Sequence, residues 1–545
     1  MSDAAGLAAR VREWIAGDPD PETRRELQAL LDANDLTTLA GRFAGRLEFG
    51  TAGLRGPLGG GPARMNAAVV RRASAGLARW LHAHGVAGGG VVVGHDHRHG
   101  SVAFARDTAA VLAAAGVPVR LATRAWPTPV TAHAVRRCGA AAGVMVTASH
   151  NPAPDNGYKV YDATGSQIVP PTDAEISAEI DAAGPAADLP YDRSSPLIER
   201  LGREAIDAYL DDVLATVPAG TARRLKVVYT PVHGVGLDVF RELWERAGFP
   251  PPVVVAEQAE PDPDFPTAPY PNPEEPGVLD LALDLARRRG ADLVLANDPD
   301  ADRLAVAVPD GGDWRVLTGD EVGTLLGDHV LASTTGDDRV VARSIVSSTM
   351  LDRVAASYGV PSRVTLTGFK WISRAGDADG RRLVFGYEEA LGYAVTPVVR
   401  DKDGLSAALA VAALAAREPL TDALARLVRA HGLHATRQWS VRFPDAAGAA
   451  AFVARVRAEP PGVLAGTPVT AVRDHRDGLD GLPPADLLVM ELAGGGRVLV
   501  RPSGTEPKVK CYFEVVQADG DAQAARARLD ALQESFAATV GTLAG

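Results

Sequence analysis

The chain contains little cysteine: Cys138 and Cys511 are the two cysteines among 545 residues. Two thiols are too few for a disulfide framework or a thiolate metal cluster, so we expect both to be inert core residues in a reducing compartment. Long apolar runs are also missing, because the longest, such as 407–416, fall short of a bilayer span. The first residues show no basic-then-apolar leader. We therefore expect a cytoplasmic protein without a transmembrane helix.

An excess of positive charge is absent too, since the formal net charge is −12. Affinity for the nucleic-acid backbone comes from clustered Lys and Arg, so this balance argues against a general nucleic-acid binder. A site for a phosphate ligand would have to be built locally, from backbone N–H groups, a few Arg or Lys, or a metal. We expect small-molecule ligands, with no nucleic-acid or membrane partner, and the sequence leaves open whether the chain is a monomer or a homodimer.

Short apolar runs alternate with helical segments along most of the chain. An amphipathic helical stretch over residues 1–45, broken near Pro19, precedes the first run. The pattern then starts at residue 91 and restarts at residues 225 and 340. Such alternation indicates βαβ units and mainly parallel sheets.

After about residue 435 the pattern changes to several strands closed by a helix over 522–540, which is typical of an α+β domain. The predicted fold class is therefore α/β, with three similar domains of mixed, mainly parallel sheets and a C-terminal α+β domain. The predicted boundaries are 1–212 with the helical start, 213–318, 319–434 and 435–545.

A loop of residues 147–152, the serine loop, follows the predicted strand 141–146. Ligands of parallel sheets bind beyond the carboxyl ends of the strands, so this position is suited to chemistry. Ser149 lacks the flanking glycines of a hydrolase nucleophile elbow. It remains a hydroxyl that can carry a phosphoryl group, with His150 or Lys159 nearby to move a proton. The alternative interpretation is an ordinary Ser/Asn turn before a proline, without a catalytic role.

A second loop, the aspartate loop of residues 298–303, follows the predicted strand 293–296. Asp298, Asp300 and Asp302 alternate and can converge on one hard cation, which is the chemistry of Mg²⁺. An EF-hand is excluded because that loop needs Gly and Glu where this chain has Arg303 and Pro309. The alternative is a solvated acidic turn.

Two further loops are candidates for binding. The glutamate loop, residues 386–392, follows the predicted strand 383–385 and offers Glu388 and Glu389, whose carboxylates can accept hydrogen bonds from sugar hydroxyls. Lys370 and Lys402 are nearby cations that could meet a phosphate. The C-terminal loop, residues 501–508, combines small hydroxyl residues and a Gly with cations at both ends, which suits a phosphate. The alternative for the glutamate loop is a pair of exposed glutamates without a function, and the alternative for the C-terminal loop is an ordinary hairpin turn.

The stretch His95-Asp96-His97-Arg98-His99 alternates histidines as some zinc sites do. Arg98 would repel a cation there, and no second cluster of matching spacing exists in the sequence. We therefore predict that Asp96 and Arg98 brace the serine loop instead.

Together, the four loops resemble the α-D-phosphohexomutase family of phosphoglucomutases and phosphomannomutases. The resemblance covers nearly the whole chain, because the motifs run from Gly50 to Lys508 in the family's order. The serine and aspartate loops are highly specific in combination. The stretch 50–56, the Tyr387-Glu388-Glu389-Ala390 version of the glutamate loop and the C-terminal loop most resemble the subgroup of phosphopentomutase-like phosphoglucomutases.

The resemblance implies four domains around a central cleft and a phosphorylated Ser149. It further implies Mg²⁺ held by a phosphoserine oxygen of Ser149 and by Asp298, Asp300 and Asp302. Sugar phosphates would react through a bisphosphorylated intermediate, with glucose 1,6-bisphosphate or its equivalent as activator.

Residue roles also follow from the resemblance. His150 or Lys159 would be the general acid/base, and Arg55 and Arg303 would stabilise charge on the transferring group. Substrate binding would fall to nine residues: Lys370, Glu388, Glu389, Lys402, Arg501, Ser503, Gly504, Thr505 and Lys508.

The expected activity is interconversion of a sugar 1-phosphate and a sugar 6-phosphate, with glucose or mannose as the sugar. Typical phosphoglucomutases carry Gly-Glu-Glu-Ser where this chain has Tyr387-Glu388-Glu389-Ala390, so a phosphopentomutase stays an alternative. A sugar-phosphate phosphatase is a further alternative, and a sensor without catalysis would tolerate loss of Ser149 or of one Asp, all of which are present.

Overall fold

The structure is a computed structural model that describes residues 2–216, 224–502 and 507–542. The chain divides into two compact units. The first unit comprises Met1–Leu317 and Leu391–Arg417, and the second comprises Thr318–Ala390 and Glu418–Gly545.

The first unit opens with three helices: α1 Ser2–Gly17, α2 Pro21–Asp32 and α3 Leu36–Arg42. The predicted break is confirmed, because α1 ends before Pro19 and the Asp20 side chain caps α2 by accepting from the Glu22 N–H. Apolar residues of all three helices form a small core, among them Val11, Leu27 and Leu39.

The first sheet and its helices consist of β1 Leu54–Pro57, α4 Ala67–Ala83, β2 Val91–His95, α5 Ser101–Ala114, β3 Val119–Ala122, α6 Thr128–Arg137, β4 Ala142–Val146, β5 Asp155–Asp162, α7 Thr172–Asp181, β6 Ile198–Leu201 and α8 Arg203–Leu214. The strand order is β1-β5-β4-β2-β3-β6. Strands β4, β2, β3 and β6 run parallel, whereas β5 is antiparallel to both β4 and β1. The serine loop therefore connects β4 to a returning strand, β5, which carries Lys159 opposite Met145.

The second sheet and its helices consist of β7 Val227–Thr230, α9 Leu237–Arg246, β8 Val253–Val254, α10 Asp280–Arg289, β9 Leu293–Asn297, β10 Leu304–Asp310 and β11 Asp313–Val316. The order is β11-β10-β9-β7-β8, with β7 parallel to β8 and β9. Because β10 is antiparallel to β9, the aspartate loop is the tight connection between two buried strands.

The second unit begins with α11 Gly319–Ser333, β12 Arg339–Ser344, α12 Met350–Ser357, β13 Ser362–Thr365, α13 Phe369–Ile372 and β14 Arg382–Glu388. Strand β12 lies between β13 and β14 and is parallel to both. Strand β14 continues through Glu388, past the predicted end at Phe385. The next elements, β15 Gly392–Ala394 and α14 Gly404–Ala415, belong to the first unit.

The second unit continues with α15 Leu420–His431, β16 Leu433–Arg442, α16 Ala446–Ala458, β17 Val463–Leu464, β18 Thr467–Asp474, β19 Leu488–Leu492, β20 Arg497–Pro502, β21 Lys508–Gln517 and α17 Ala522–Thr542. The sheet order is β16-β21-β20-β19-β18-β17, and its neighbouring strands are antiparallel. Helices α16 and α17 pack on this sheet through apolar residues such as Phe452, Phe513 and Phe536. The prediction of three α/β domains and an α+β domain is thus confirmed, while the exact boundaries stay predictions.

Both thiols have raised pKa values. Burial is the first cause in each case, and it raises the pKa of Cys511 to about 12, which keeps that thiol protonated and unreactive. Among the described residues no helix is long and apolar enough to cross a membrane.

Candidate active site

Ser149 occupies a sharply turned position just beyond the carboxyl end of β4. Its φ of 53° lies in the left-handed region, which is costly for a residue with a β-carbon. The Ser149 N–H donates to Thr147 Oγ1 at 2.9 Å, and the side chain is buried. Ser149 Oγ donates to Asp298 Oδ2 at 2.9 Å. The structure therefore brings the serine and aspartate loops into direct contact within the first unit.

Arg98 holds the serine loop from behind. Its Nη2 donates to the carbonyl oxygens of Ser149 at 2.6 Å and Asn151 at 2.5 Å, and its Nη1 donates to that of Pro152 at 2.9 Å. Asp96 Oδ1 in turn accepts from the Arg98 N–H at 2.9 Å. The predicted bracing of this loop by Asp96 and Arg98 is confirmed. The strained backbone at Ser149 persists because these bonds determine its path.

Two of the alternating histidines, His95 and His99, contact separate partners. His95 Nδ1 contacts the Asp96 carbonyl oxygen at 2.8 Å, whereas His99 Nε2 contacts Asp264 Oδ1 at 2.8 Å. Among the described residues, the group of three or more His, Cys, Asp or Glu side chains that could hold a metal ion is Asp298, Asp300 and Asp302, which does not include these histidines.

The three carboxylates of the aspartate loop converge. Asp298, Asp300 and Asp302 are fully buried, and each offers an oxygen within 4.8 Å of the others. The Oδ1 atoms of Asp300 and Asp302 are buried and accept no hydrogen bond from the described residues. A buried carboxylate oxygen without a donor is costly, and a hard divalent cation would satisfy both atoms. The donor set therefore fits a metal such as Mg²⁺.

Cations compensate the remaining carboxylate oxygens. Lys159 Nζ donates to Asp300 Oδ2 at 2.8 Å and to Asp302 Oδ2 at 3.0 Å. Lys402 Nζ lies 3.2 Å from the same Asp302 oxygen. Arg303 Nε lies 3.9 Å from Asp302 Oδ1 and 4.0 Å from Asp298 Oδ2. Three negative charges in a buried loop are thus balanced by side chains from three different segments of the first unit.

The surrounding charges and burial shift the pKa values of Asp298 and Asp302 in opposite directions. Burial and the two neighbouring carboxylates raise the pKa of Asp298 well above its usual value. Burial also opposes ionisation of Asp302, but Lys159 and Lys402 outweigh it and hold the pKa of Asp302 well below its usual range. Burial lowers the pKa of Lys159, yet Asp300 and Asp302 outweigh that effect and raise it overall. Lys159 therefore stays an ammonium group at neutral pH.

His150 and Arg55 complete the surroundings of Ser149. His150 Nδ1 lies 3.1 Å from Ser149 Oγ. Burial and the charges of Arg303 and Arg55 lower the pKa of the His150 imidazole well below its usual value, so it is neutral at pH 7. Arg55, on β1, donates from Nη1 to Asn151 Oδ1 at 3.2 Å. A neutral imidazole and fixed guanidinium groups thus lie in one buried region.

Residues 386–390 of the glutamate loop belong to the second unit. Glu388 Oε2 accepts from the Gly368 N–H at 3.1 Å. Glu389 Oε2 accepts from Ser344 Oγ at 3.0 Å and from Ser347 Oγ at 3.1 Å. Burial first, and the Glu388 carboxylate second, raise the pKa of Glu389 to about 7. Both carboxylates are therefore held in defined orientations.

The other predicted phosphate ligands of the second unit are placed as follows. Lys370, on α13, has its Nζ 5.8 Å from the centre of the Trp371 ring. Arg501, on β20, donates from Nη1 to Thr367 Oγ1, and Lys508 begins β21. Ser503, Gly504 and Thr505 lie outside the described residues.

Sequence reasoning missed residues that complete the site. Thr128 Oγ1 donates to Asp300 Oδ2 at 2.7 Å, and Glu274 Oε2 lies 3.6 Å from Arg303 Nη1. Thr128 begins α6 after strand β3, at the same edge of the sheet as the serine loop. That position was the available signal. Lys402 was predicted as a substrate ligand, and the structure places it against Asp302.

Models of the phosphoglucomutase/phosphomannomutase family match four consecutive parts of the chain. Its alpha/beta/alpha domains I, II and III match residues 46–186, 207–312 and 318–431, and its C-terminal domain matches 444–532. This chain belongs to the phosphoglucomutase/phosphomannomutase family. It is accordingly an enzyme of the phosphosugar-mutase type, an intramolecular phosphotransferase.

Curated relatives from this family span nearly the whole chain. A Haemophilus influenzae protein named "Probable phosphomannomutase" is 43% identical over 462 residues, covering 83% of this chain and 93% of its own length. A Mus musculus protein named "Phosphopentomutase" is 35% identical over 567 residues, covering 95% and 91%.

A crystal structure of a phosphoglucomutase/phosphomannomutase family protein from Burkholderia thailandensis matches the fold. It superposes with a TM-score of 0.68 at 21% identity, covering 90% of this chain and 97% of that one. At this identity the match shows the fold alone.

Proposed function

We propose that this enzyme interconverts a sugar 1-phosphate and a sugar 6-phosphate, with glucose or mannose as the sugar. The phosphoryl group would pass from phosphorylated Ser149 to the sugar and return from the other hydroxyl of a bisphosphorylated sugar. The observation that carries this proposal is the 2.9 Å contact between Ser149 Oγ and Asp298 Oδ2. It puts a hydroxyl nucleophile beside a carboxylate cluster whose free oxygens suit a divalent cation.

Asp298, Asp300 and Asp302 would hold Mg²⁺ together with a phosphoserine oxygen of Ser149. A bound Mg²⁺ supplies positive charge that stabilises the oxygens of a transferring phosphoryl group. The protein contributes further positive charge from Arg55 and Arg303.

The acid–base roles are supported by the opposite protonation of two neighbours. His150 is neutral and 3.1 Å from Ser149 Oγ, so it can accept a proton there. Lys159 is held as an ammonium by Asp300 and Asp302, which suits proton donation or charge stabilisation. We therefore propose His150 as the base toward the Ser149 hydroxyl and Lys159 as a fixed cation that can donate a proton.

Substrate binding is assigned by chemistry. Glu388 and Glu389 would accept hydrogen bonds from sugar hydroxyls. Arg501 and Lys508, with Ser503, Gly504 and Thr505, would bind the phosphate that is not reacting, and Lys370 and Lys402 would be further cations able to meet a phosphate. Glucose 1,6-bisphosphate or its equivalent is proposed as the activator, since it would phosphorylate Ser149.

Pentose phosphates are a second candidate substrate class. The mouse relative, whose alignment covers 95% of this chain, is named phosphopentomutase. Initial rates on glucose 1-phosphate, mannose 1-phosphate and ribose 1-phosphate, at equal concentrations with Mg²⁺ and a trace of the matching bisphosphate, would rank the substrates. A preference for ribose 1-phosphate would replace the hexose assignment.

The central experiment measures glucose 6-phosphate formed from glucose 1-phosphate and, in the same mixture, released inorganic phosphate. A mutase gives the isomer with little free phosphate, because the intermediate is kept and turned around. Release of one phosphate for each sugar consumed would instead establish a phosphatase. No product from any of the three sugars would reject the proposal.

A further inference from the structure

The support of Glu389 in the second unit reaches far beyond the glutamate loop. Residues 344–349, the support segment, begin at the last residue of β12 and connect this strand to α12. Ser347 Oγ accepts from the Glu389 N–H at 3.0 Å and contacts Glu389 Oε2 at 3.1 Å, while Ser344 Oγ contacts the same oxygen at 3.0 Å. The two hydroxyls lie 2.7 Å apart. The orientation of Glu389 thus depends on the path of the support segment.

That path is in turn held by an arginine of the C-terminal domain. Arg497, on β20, donates from Nη1 to the Ile345 carbonyl oxygen at 2.7 Å and from Nη2 to that of Ser347 at 2.5 Å. Its Nε donates to Glu514 Oε2 at 2.6 Å, and both side chains are buried. A planar guanidinium can make these directional bonds together, whereas a lysine ammonium cannot reproduce them.

Glu514, on β21, holds the other end of the segment. Its Oε1 accepts from the Thr349 N–H at 2.7 Å, from Thr349 Oγ1 at 2.9 Å and from Ser348 Oγ at 3.0 Å. One buried ion pair therefore contacts the support segment at two carbonyl oxygens, one N–H and two hydroxyls. A buried ion pair is weak evidence for stability, because its desolvation cost offsets its attraction. The role of the Arg497–Glu514 pair is better explained by the support segment that it orients.

The same two strands border the C-terminal loop. Strand β20 ends at Pro502 and β21 begins at Lys508. Four residues beyond Arg497 on β20, Arg501 donates to Thr367 Oγ1, and the adjacent Gly368 N–H donates to Glu388 Oε2 at 3.1 Å. Each carboxylate of the glutamate loop is thus connected to β20 through one short segment.

We propose that Arg497 and Ser347 are positioning residues, and that the Arg497–Glu514 pair couples the strands beside the C-terminal loop to the orientation of Glu389. This inference rests on the proposed function. It implies that recognition of the phosphate and of a sugar hydroxyl share one support. Neither Arg497 nor Ser347 need touch the substrate.

The test is a double-mutant cycle with Ser347→Ala, Arg497→Met and the combined variant. For each, kcat and KM are measured on glucose 1-phosphate and on its deoxy analogues, one hydroxyl removed at a time. For wild type, the analogue lacking the hydroxyl bound by Glu389 is expected to react with a lower kcat/KM. Each single variant is expected to lose about 3- to 10-fold in kcat/KM on the intact sugar, the value of a lost hydrogen bond, and to lose less on that analogue.

The combined variant is expected to lose little more than either single one, because both act through the same carboxylate. Ser347→Thr retains a hydroxyl and is expected to restore much of the discrimination. The control is Arg71→Met, which breaks the Arg71–Asp107 ion pair of the first unit and is expected to leave discrimination between sugars unchanged.

Equal losses of kcat/KM on intact and deoxy sugars, or additive losses in the combined variant, would overturn the inference. Turnover by the wild type would still support the proposed function in that case. If Arg497→Met fails to fold, the comparison of Ser347→Ala with Ser347→Thr decides in the same way. Absence of wild-type turnover would count against the proposed function. In that case, affinities of the Ser347 variants for glucose 1-phosphate and the same deoxy sugars carry the test.

Discussion

The Nη2 atom of Arg98 donates to the carbonyl oxygen of Ser149 at 2.6 Å, and Ser149 itself has a φ of 53°. The two facts are connected, because a left-handed serine costs roughly 1–3 kcal/mol and persists only where the surrounding bonds offset that cost. The guanidinium also binds the carbonyl oxygens of Asn151 and Pro152. A buried fork of hydrogen bonds thus determines where Ser149 Oγ lies relative to Asp298.

Arg98→Lys tests this bracing. The ammonium keeps a positive charge near Asp96 but cannot bind several carbonyl oxygens at once, so the serine loop should relax. We expect kcat to fall by about tenfold or more, because misplacement of the reacting group lowers the rate steeply. Exposed Arg106→Lys is the control, and steady-state assays make the comparison. An unchanged kcat in Arg98→Lys would show that the loop holds its shape without the fork.

Ser149→Ala removes the hydroxyl proposed to carry the phosphoryl group. Turnover should be abolished, while binding of glucose 1-phosphate, measured by calorimetry, should stay within about threefold, since the substrate contacts remain. Mass spectrometry of the wild type after incubation with glucose 1,6-bisphosphate should show one added phosphoryl group at Ser149. Residual turnover near wild type in the alanine variant would remove Ser149 from the mechanism.

Asp302→Asn tests the metal site. The amide keeps the size but loses the charge, and the ammonium groups of Lys159 and Lys402 would lose their shared partner. We expect Mg²⁺ affinity, measured by calorimetry, to fall by at least about tenfold and activity to fall with it. Asp310→Asn, at the exposed end of β10, should leave both unchanged. Equal Mg²⁺ affinity in Asp302→Asn and wild type would exclude Asp302 as a ligand.

Glu389 predicts a pH dependence of stability. Its pKa is raised from 4.5 to about 7 in the folded protein by burial and by Glu388. Between pH 4.5 and about 7, Glu389 therefore keeps its proton in the folded protein but releases it in the unfolded chain. The contribution of this proton to the free energy of unfolding is complete below pH 4.5 and is lost as the pH rises through about 7. Glu389→Gln stays neutral, so it should gain stability relative to wild type over that range by about 1–3 kcal/mol.

Thermal unfolding of wild type and Glu389→Gln at pH 5, 6, 7 and 8 measures this difference in melting temperature. Exposed Glu459→Gln in the same unit is the control and should show no trend with pH. A difference between wild type and Glu389→Gln that stays constant from pH 5 to pH 8 would contradict the raised pKa of Glu389.

Most elements of the fold could be predicted because their causes are local. The alternation of apolar runs and helical segments indicated the α/β domains, and Pro19 and Pro21 marked the break between α1 and α2. The end of β14 was predicted three residues too early, since Gly386 and Glu388 are residue types disfavoured in strands yet both lie in β14. Strand ends depend on pairing partners, which a single segment does not reveal.

From the sequence alone came the identity of the reactive groups: a serine after one strand, three alternating carboxylates after another, and a glutamate pair after a third. Their type and spacing are written in short segments, so local chemistry suffices to find them. Tertiary structure alone decided which other distant side chains meet them, such as Lys402 at Asp302 and Arg497 behind Ser347. Such contacts arise from the order and direction of strands in each sheet, which no local pattern encodes.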